Sequence, residues 1–170
     1  MTLVVIDMQA KLVPHIDGGE RLSARVGTLK RAADLLDIPV IVTEQNPRGL
    51  GATLPELVGA RHRLIEKDSF DATRAPAFLD ALPPAPATLW IAGAEAHVCV
   101  LLTALGLLQR GYRVEWVADA VGSRRAEDRV IAEMRAQQDG ARLTTVETTL
   151  FGWLGDFRHP RFRDVLALVK

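Results

Sequence analysis

The stretch TLWIAGAEAHVCVLLTALGLLQRGYR, residues 88–113, reads as strand, tight turn and helix in direct succession. Leu89, Trp90 and Ile91 form an apolar run, Gly93 opens a turn, and an amphipathic helix follows over about residues 98–110, stopped by Gly111. The only cysteine of the chain, Cys99, falls at the start of that helix. A lone cysteine most often packs as a small apolar residue. In this position, however, the first helical N–H groups face its sulfur and the helix dipole favours thiolate over thiol. Such a turn suits a nucleophile, because its N–H groups can hold a developing oxyanion.

The segments on either side repeat the alternation. Leu3-Val4-Val5-Ile6 is a continuous apolar run, the pattern of a strand buried on both faces of a parallel sheet, and it stops at Asp7. Leu22, Val26, Leu29, Ala33 and Leu36 recur at helical spacing over about residues 20–36. Val40-Ile41-Val42-Thr43 is a second strand with the polar tip Thr43-Glu44-Gln45, and residues 63–67 give a third that ends in Lys67. Residues 46–59, with two prolines and three glycines, predict an irregular lid or interface loop. A short helix at 75–82 precedes the opening stretch. After it come a strand at 113–118, a helix at 125–138 with Val130, Ile131 and Met134 as its apolar stripe, and a sixth strand at 142–146. An apolar cluster from Leu150 to Leu154 and a last helix bearing Phe162, Val165, Leu166 and Val169 close the chain.

This order predicts an α/β fold, a three-layer αβα sandwich around a six-stranded, mainly parallel sheet with right-handed crossovers. Parallel strands put their carboxyl ends on one edge, where open α/β sheets place ligands. Asp7, Lys67 and Cys99 then converge as an acid, an ammonium and a thiol. The carboxylate can take the thiol proton and return it to a leaving amine, while the ammonium stabilises both anions.

Composition bounds the function. The chain has 170 residues, 48% hydrophobic and 25% charged, which fits one domain, and Lys plus Arg equals Asp plus Glu at 21 each. Charge so balanced predicts no nucleic-acid partner and leaves small neutral substrates open. One cysteine excludes an internal disulfide, and a start directly into a strand predicts a cytoplasmic protein without a signal peptide. No apolar run approaches the roughly 20 residues of a membrane span, so no membrane partner is expected.

Three motifs in order resemble those of the isochorismatase-like cysteine hydrolases: Val5-Ile6-Asp7-Met8-Gln9, Glu66-Lys67-Asp68-Ser69-Phe70, and Ala92-Gly93-Ala94-Glu95-Ala96-His97-Val98-Cys99-Val100. Tyr112 to Ala120 also fits, as the strand ending in Asp-Ala. The resemblance spans essentially the whole chain. It implies sheet order 3-2-1-4-5-6, an Asp7-Lys67-Cys99 triad and a cis peptide between Ala94 and Glu95. It also implies an oxyanion hole from the backbone N–H groups of Glu95 and Cys99, and hydrolysis of an amide or related C–N bond through a thioester.

Departures from the family pattern narrow this reading. Nicotinamidases of the family carry an Asp-x-His metal motif after the second strand, where this chain has Thr43-Glu44-Gln45-Asn46, and His15, His62, His97 and His159 lack ligand spacing. No metal and no cofactor are therefore expected. Isochorismatases proper have glycine at the position of Cys99, which disfavours vinyl-ether cleavage. The chain looks most like a metal-independent subgroup of uncertain substrate. Gln9, Thr43, Glu44, Gln45, Phe70 and His97 are the expected pocket residues. The 46–59 loop and the Leu150–Leu154 cluster predict a homo-oligomer, dimer or larger. Two other readings fit parts of the sequence. A nucleotide-binding protein is disfavoured because Asp7-Met8-Gln9 stands where a glycine-rich phosphate loop would follow strand one. A scaffold or thiol sensor with this fold but no turnover is the alternative.

Overall fold

The computed structural model describes residues 1–59 and 61–170. Six strands form one sheet in the order β3-β2-β1-β4-β5-β6, all neighbours parallel: β1 (Thr2–Ile6), β2 (Val40–Gln45), β3 (His62–Lys67), β4 (Thr88–Ala94), β5 (Arg113–Gly122) and β6 (Arg142–Thr144). The order and the αβα layering are those predicted. Central β1 is buried along its whole length, as its unbroken apolar run requires for a strand covered on both faces.

Helices α1 (Gly19–Leu35), α2 (Pro47–Leu50), α3 (Pro76–Ala81), α4 (Leu101–Gln109), α5 (Ala126–Gln138), α6 (Val146–Leu154) and α7 (Phe162–Leu166) complete the chain. Two apolar cores lie on the two faces of the sheet. One holds Leu3, Val5, Leu29, Val42 and Leu150, and the other holds Val4, Ile6, Ile91, Leu107 and Trp116. Successive β1 residues alternate between the cores, as strand geometry demands. Among the described residues no helix is long and apolar enough to cross a membrane.

Three expectations are corrected. Residues 46–59 contain α2 and a 3-10 turn at Pro55–Leu57, and they are pinned to the segment after β1. The Gln9–Thr53 antiparallel bridge does this, with the hydrogen bonds Ala10 N–H to Ala52 O and Leu54 N–H to Met8 O. The Leu150–Leu154 cluster is core: Leu150, Trp153 and Leu154 are buried, and Trp153 meets Trp90 edge-on with ring centroids 5.5 Å apart. The apolar stripe of α5 faces outward, Val130, Ile131 and Met134 being 49%, 64% and 53% exposed, while Ala132 and Ala136 face the interior. Small residues there let the helix approach the molecule closely, which turns the larger ones away.

Gly93 fixes how β4 meets β1. It pairs with Ile6 at φ +121°, and a Cβ built on it would lie 2.1 Å from the Ile6 carbonyl oxygen. Only glycine fits there, so the strand that leads to Cys99 runs tightly beside the strand that ends at Asp7.

Candidate active site

Strand register brings the predicted groups together. Ile6 pairs with Thr43 and Gln45 pairs with Lys67, so Asp7 and Lys67 stand at the same sheet edge with β2 between them. Lys67 spans that gap. Its Nζ donates to Asp7 Oδ2 at 2.7 Å, and both side chains are fully buried. Residues of the intervening strand hold each partner: Thr43 Oγ1 donates to Asp7 Oδ1 at 2.6 Å, and Lys67 Nζ also donates to Gln45 Oε1 at 2.8 Å. A buried charge pair is tolerable only when its remaining hydrogen-bonding capacity is met, and these contacts meet it.

Gln45 is itself braced. Its backbone N–H donates to Gln9 Oε1 at 2.8 Å, and its side-chain amide donates to Asp68 O at 2.7 Å. Gln9 Nε2 reaches Gln45 O at 3.2 Å and Gly51 O at 2.6 Å, tying the 46–59 segment to the same point.

Cys99 lies in a wide helical turn, Ala96–Val100, that leads into α4 and follows a cis peptide between Ala94 and Glu95. Cys99 is 7% exposed. Burial pushes its pKa from 9.0 up to about 12, the Asp7 carboxylate pushes in the same direction, and Lys67 opposes both. The expected thiolate at the helix start is thereby corrected. Cys99 rests as a neutral thiol at neutral pH, because loss of water and the neighbouring carboxylate outweigh the ammonium.

Asp7, Gln45, Phe70, Glu95 and Cys99 line one cavity of about 640 Å³. Of the expected pocket residues, Gln45 and Phe70 reach it. Gln9, Thr43, Glu44 and His97 are not part of the lining, which corrects their expected place. Gln9 and Thr43 serve behind it as braces. Glu44 is turned away, its Oε1 accepting from Thr53 N–H at 2.6 Å and from Thr53 Oγ1 at 2.8 Å. His97 Nδ1 lies 2.9 Å from Ser123 Oγ, and its Nε2 lies 3.8 Å from Asp128.

Lys11, His15, Leu50 and Arg124 line the cavity without having been expected there. Arg124 was hidden because β5 was expected to stop near Ala118, whereas it runs to Gly122 and delivers Arg124 to the same edge. The apolar continuation Ala120-Val121 was the available signal. Among the described residues no group of three or more His, Cys, Asp or Glu could hold a metal ion.

Comparison with known proteins gives a consistent picture. Residues 1–148 match the isochorismatase domain. Isochorismatase domain-containing protein 2 from Homo sapiens is 38% identical over 171 residues, covering 99% of this chain and 82% of that protein. Its Xenopus laevis counterpart is 38% identical over 169 residues, covering 98% and 82%. Among solved structures, the MAR1 ribonuclease from Caenorhabditis elegans superposes with a TM-score of 0.93 at 39% identity, covering 99% of this chain and 88% of that one. The ycaC gene product of Escherichia coli, described as an octameric hydrolase of unknown specificity, gives 0.86 at 25% identity, covering 98% and 91%.

Proposed function

Because this chain belongs to the isochorismatase domain family, we propose that it is a cysteine-dependent hydrolase of a small amide or related C–N substrate, with Cys99 as nucleophile, Asp7 as general base and acid, and Lys67 as electrostatic support. The observation that carries this reading is the buried Asp7–Lys67 pair, whose carboxylate shares with Cys99 the wall of one substrate-sized cavity.

A thiol with a pKa near 12 needs a base at the moment of attack. Asp7 already accepts from Lys67 and Thr43, one donor per oxygen, and retains lone pairs for the thiol proton. As that proton moves to Asp7, the sulfur bonds to the substrate carbonyl carbon and the carbonyl oxygen becomes an oxyanion. The backbone N–H groups of Glu95 and Cys99 receive it in this reading. The C–N bond then breaks and the leaving nitrogen takes the proton from Asp7. Water attacks the thioester and gives Asp7 a proton, the C–S bond breaks, and that proton returns to sulfur. The sum is amide plus water to acid plus amine, with Lys67 opposite the negative charge throughout.

Intact mass spectrometry after incubation with a mixed amide library tests this. The expected result is an acyl increment on Cys99, absent in Cys99→Ala, together with released ammonia or amine. Ammonia release by Cys99→Ala at the wild-type rate would remove the thiol from the reaction. No increment and no ammonia from any amide would favour a scaffold or thiol sensor. The C. elegans neighbour bears a ribonuclease name, but here 21 basic residues balance 21 acidic ones, which favours a small-molecule substrate over a polyanion.

We further propose that the protein self-associates. The outward stripe of α5 offers Val130, Ile131 and Met134 for burial, and the E. coli neighbour is described as octameric. Sedimentation should show a species above the 18.6 kDa chain, reduced in size by Ile131→Glu. A wild-type monomer at micromolar concentration would rule this out.

A further inference from the structure

His97 stands two residues before Cys99 in the Ala96–Val100 turn, and the chemistry proposed above does not use it. It does not line the cavity; its ring is seated between the tail of β5 and the first turn of α5.

Sheet pairing stops short of the turn that bears Cys99. β1 accompanies β4 as far as Gly93, and β5 accompanies it as far as Ala94, opposite Gly122. Beyond that point side chains join the turn to the tail of β5. One link is Glu95 to Arg124, whose guanidinium is mostly exposed, and an ion pair open to water holds weakly. The other is His97, whose Nδ1 lies 2.9 Å from Oγ of Ser123, the residue after Gly122. Ser123 is a fixed post: it is buried, and its carbonyl oxygen accepts from Asp17 N–H at 3.0 Å. Among the described residues the imidazole is the sole partner of the Ser123 hydroxyl. Asp128, in the first turn of α5, places Oδ2 3.8 Å from Nε2, too far for a hydrogen bond but near enough to favour a proton on that nitrogen. Nδ1 of the neutral ring is then the acceptor, and the Ser123 hydroxyl donates to it.

We propose that His97 is a positioning residue: clamped between Ser123 and Asp128, it holds in place the turn that carries Cys99 and the N–H groups assigned to the oxyanion. Its catalytic consequence rests on the thiol-hydrolase reading, whereas its effect on the sulfur does not.

Two probes of Cys99 separate these. Iodoacetamide reports access to the thiolate alone. The ester p-nitrophenyl acetate transfers its acetyl group to the sulfur, releases nitrophenolate, and is helped by a base and oxyanion donors held in register. A loosened turn lets water reach a sulfur that burial now protects, so His97→Ala should be alkylated about threefold or more faster at pH 7. Acetyl transfer should slow by about 10- to 100-fold, the cost of misplacing reacting groups by on the order of 1 Å. Ser123→Ala should do the same, and the double variant should add little to either single one. His97→Asn, whose Oδ1 takes the place of Nδ1, should restore both rates, whereas His97→Gln, whose amide lies farther out, should not. A residue that merely fills space would lower the unfolding temperature and leave both rates at the wild-type value; that result, or no rescue by His97→Asn, would overturn the inference. Should His97→Ala not fold, Ser123→Ala, which removes one hydroxyl, decides on the same two rates. If the wild type accepts no acetyl group, faster alkylation of the variants with rescue by His97→Asn would sustain this inference and count against the hydrolase reading. Rapid acetylation of the wild type, with both rates unmoved in the variants, would sustain the hydrolase reading and overturn this one.

Discussion

Replacing Lys67 with methionine is expected to lower both stability and turnover. Methionine fills much the same volume, but it leaves Asp7 fully buried with Thr43 as its remaining side-chain donor. Removing one member of a buried pair costs about 3–5 kcal/mol, because the other charge stays desolvated. For a chain of this size the midpoint of thermal unfolding should fall by on the order of 10 °C at pH 7. An unchanged unfolding temperature at neutral pH would show that the pair contributes nothing to the fold. Turnover should fall with stability, because Lys67 is the group that holds the Cys99 pKa down against burial and Asp7.

Asp7→Asn should act in opposite directions on catalysis and on thiol reactivity. Loss of the proton acceptor is expected to reduce kcat by roughly 100- to 10,000-fold, the range for a positioned general base. Yet Asp7 is one of the groups that push the thiol up to about 12, so its removal should move the midpoint of iodoacetamide alkylation against pH downward. Lys67→Met should move the same midpoint upward. In the wild type, labelling should be slow at neutral pH and rise about tenfold per pH unit on the alkaline side. An alkylation profile unmoved by Asp7→Asn would detach the carboxylate from the sulfur and with it the proposed proton transfer.

Much of the fold was legible because the central strands are long apolar runs with sharp polar ends. Val4-Val5-Ile6-Asp7 marks both the strand and its tip, and Gly93 marks a close approach. The face of α5 was misread because periodicity shows that a stripe exists, not which way it points. Val130, Ile131 and Met134 were the larger residues, but Ala132 and Ala136 face the interior. Around the site, sequence order gave Asp7, Lys67 and Cys99 but not their braces. Thr43 and Gln45 take their roles from pairing across β2, a register that depends on tertiary contacts. Glu44 looks equivalent to them in sequence, yet strand alternation sends it to the opposite face and to Thr53. The protonation of Cys99 was also misjudged, since the balance between desolvation and neighbouring charge cannot be weighed before burial is known.

The elevated thiol has a consequence for the life of the protein. Folding carries the sulfur from an ordinary value of 9.0 to about 12, so the native state holds that proton more tightly than the unfolded chain does. Linkage makes this contribution complete below pH 9 and erodes it as pH climbs from 9 towards 12, giving the protein an alkaline rather than a neutral weak point. Peroxides attack the anion and spare the neutral sulfhydryl. At a given pH the native molecule thus presents less thiolate to an oxidant than the unfolded chain does.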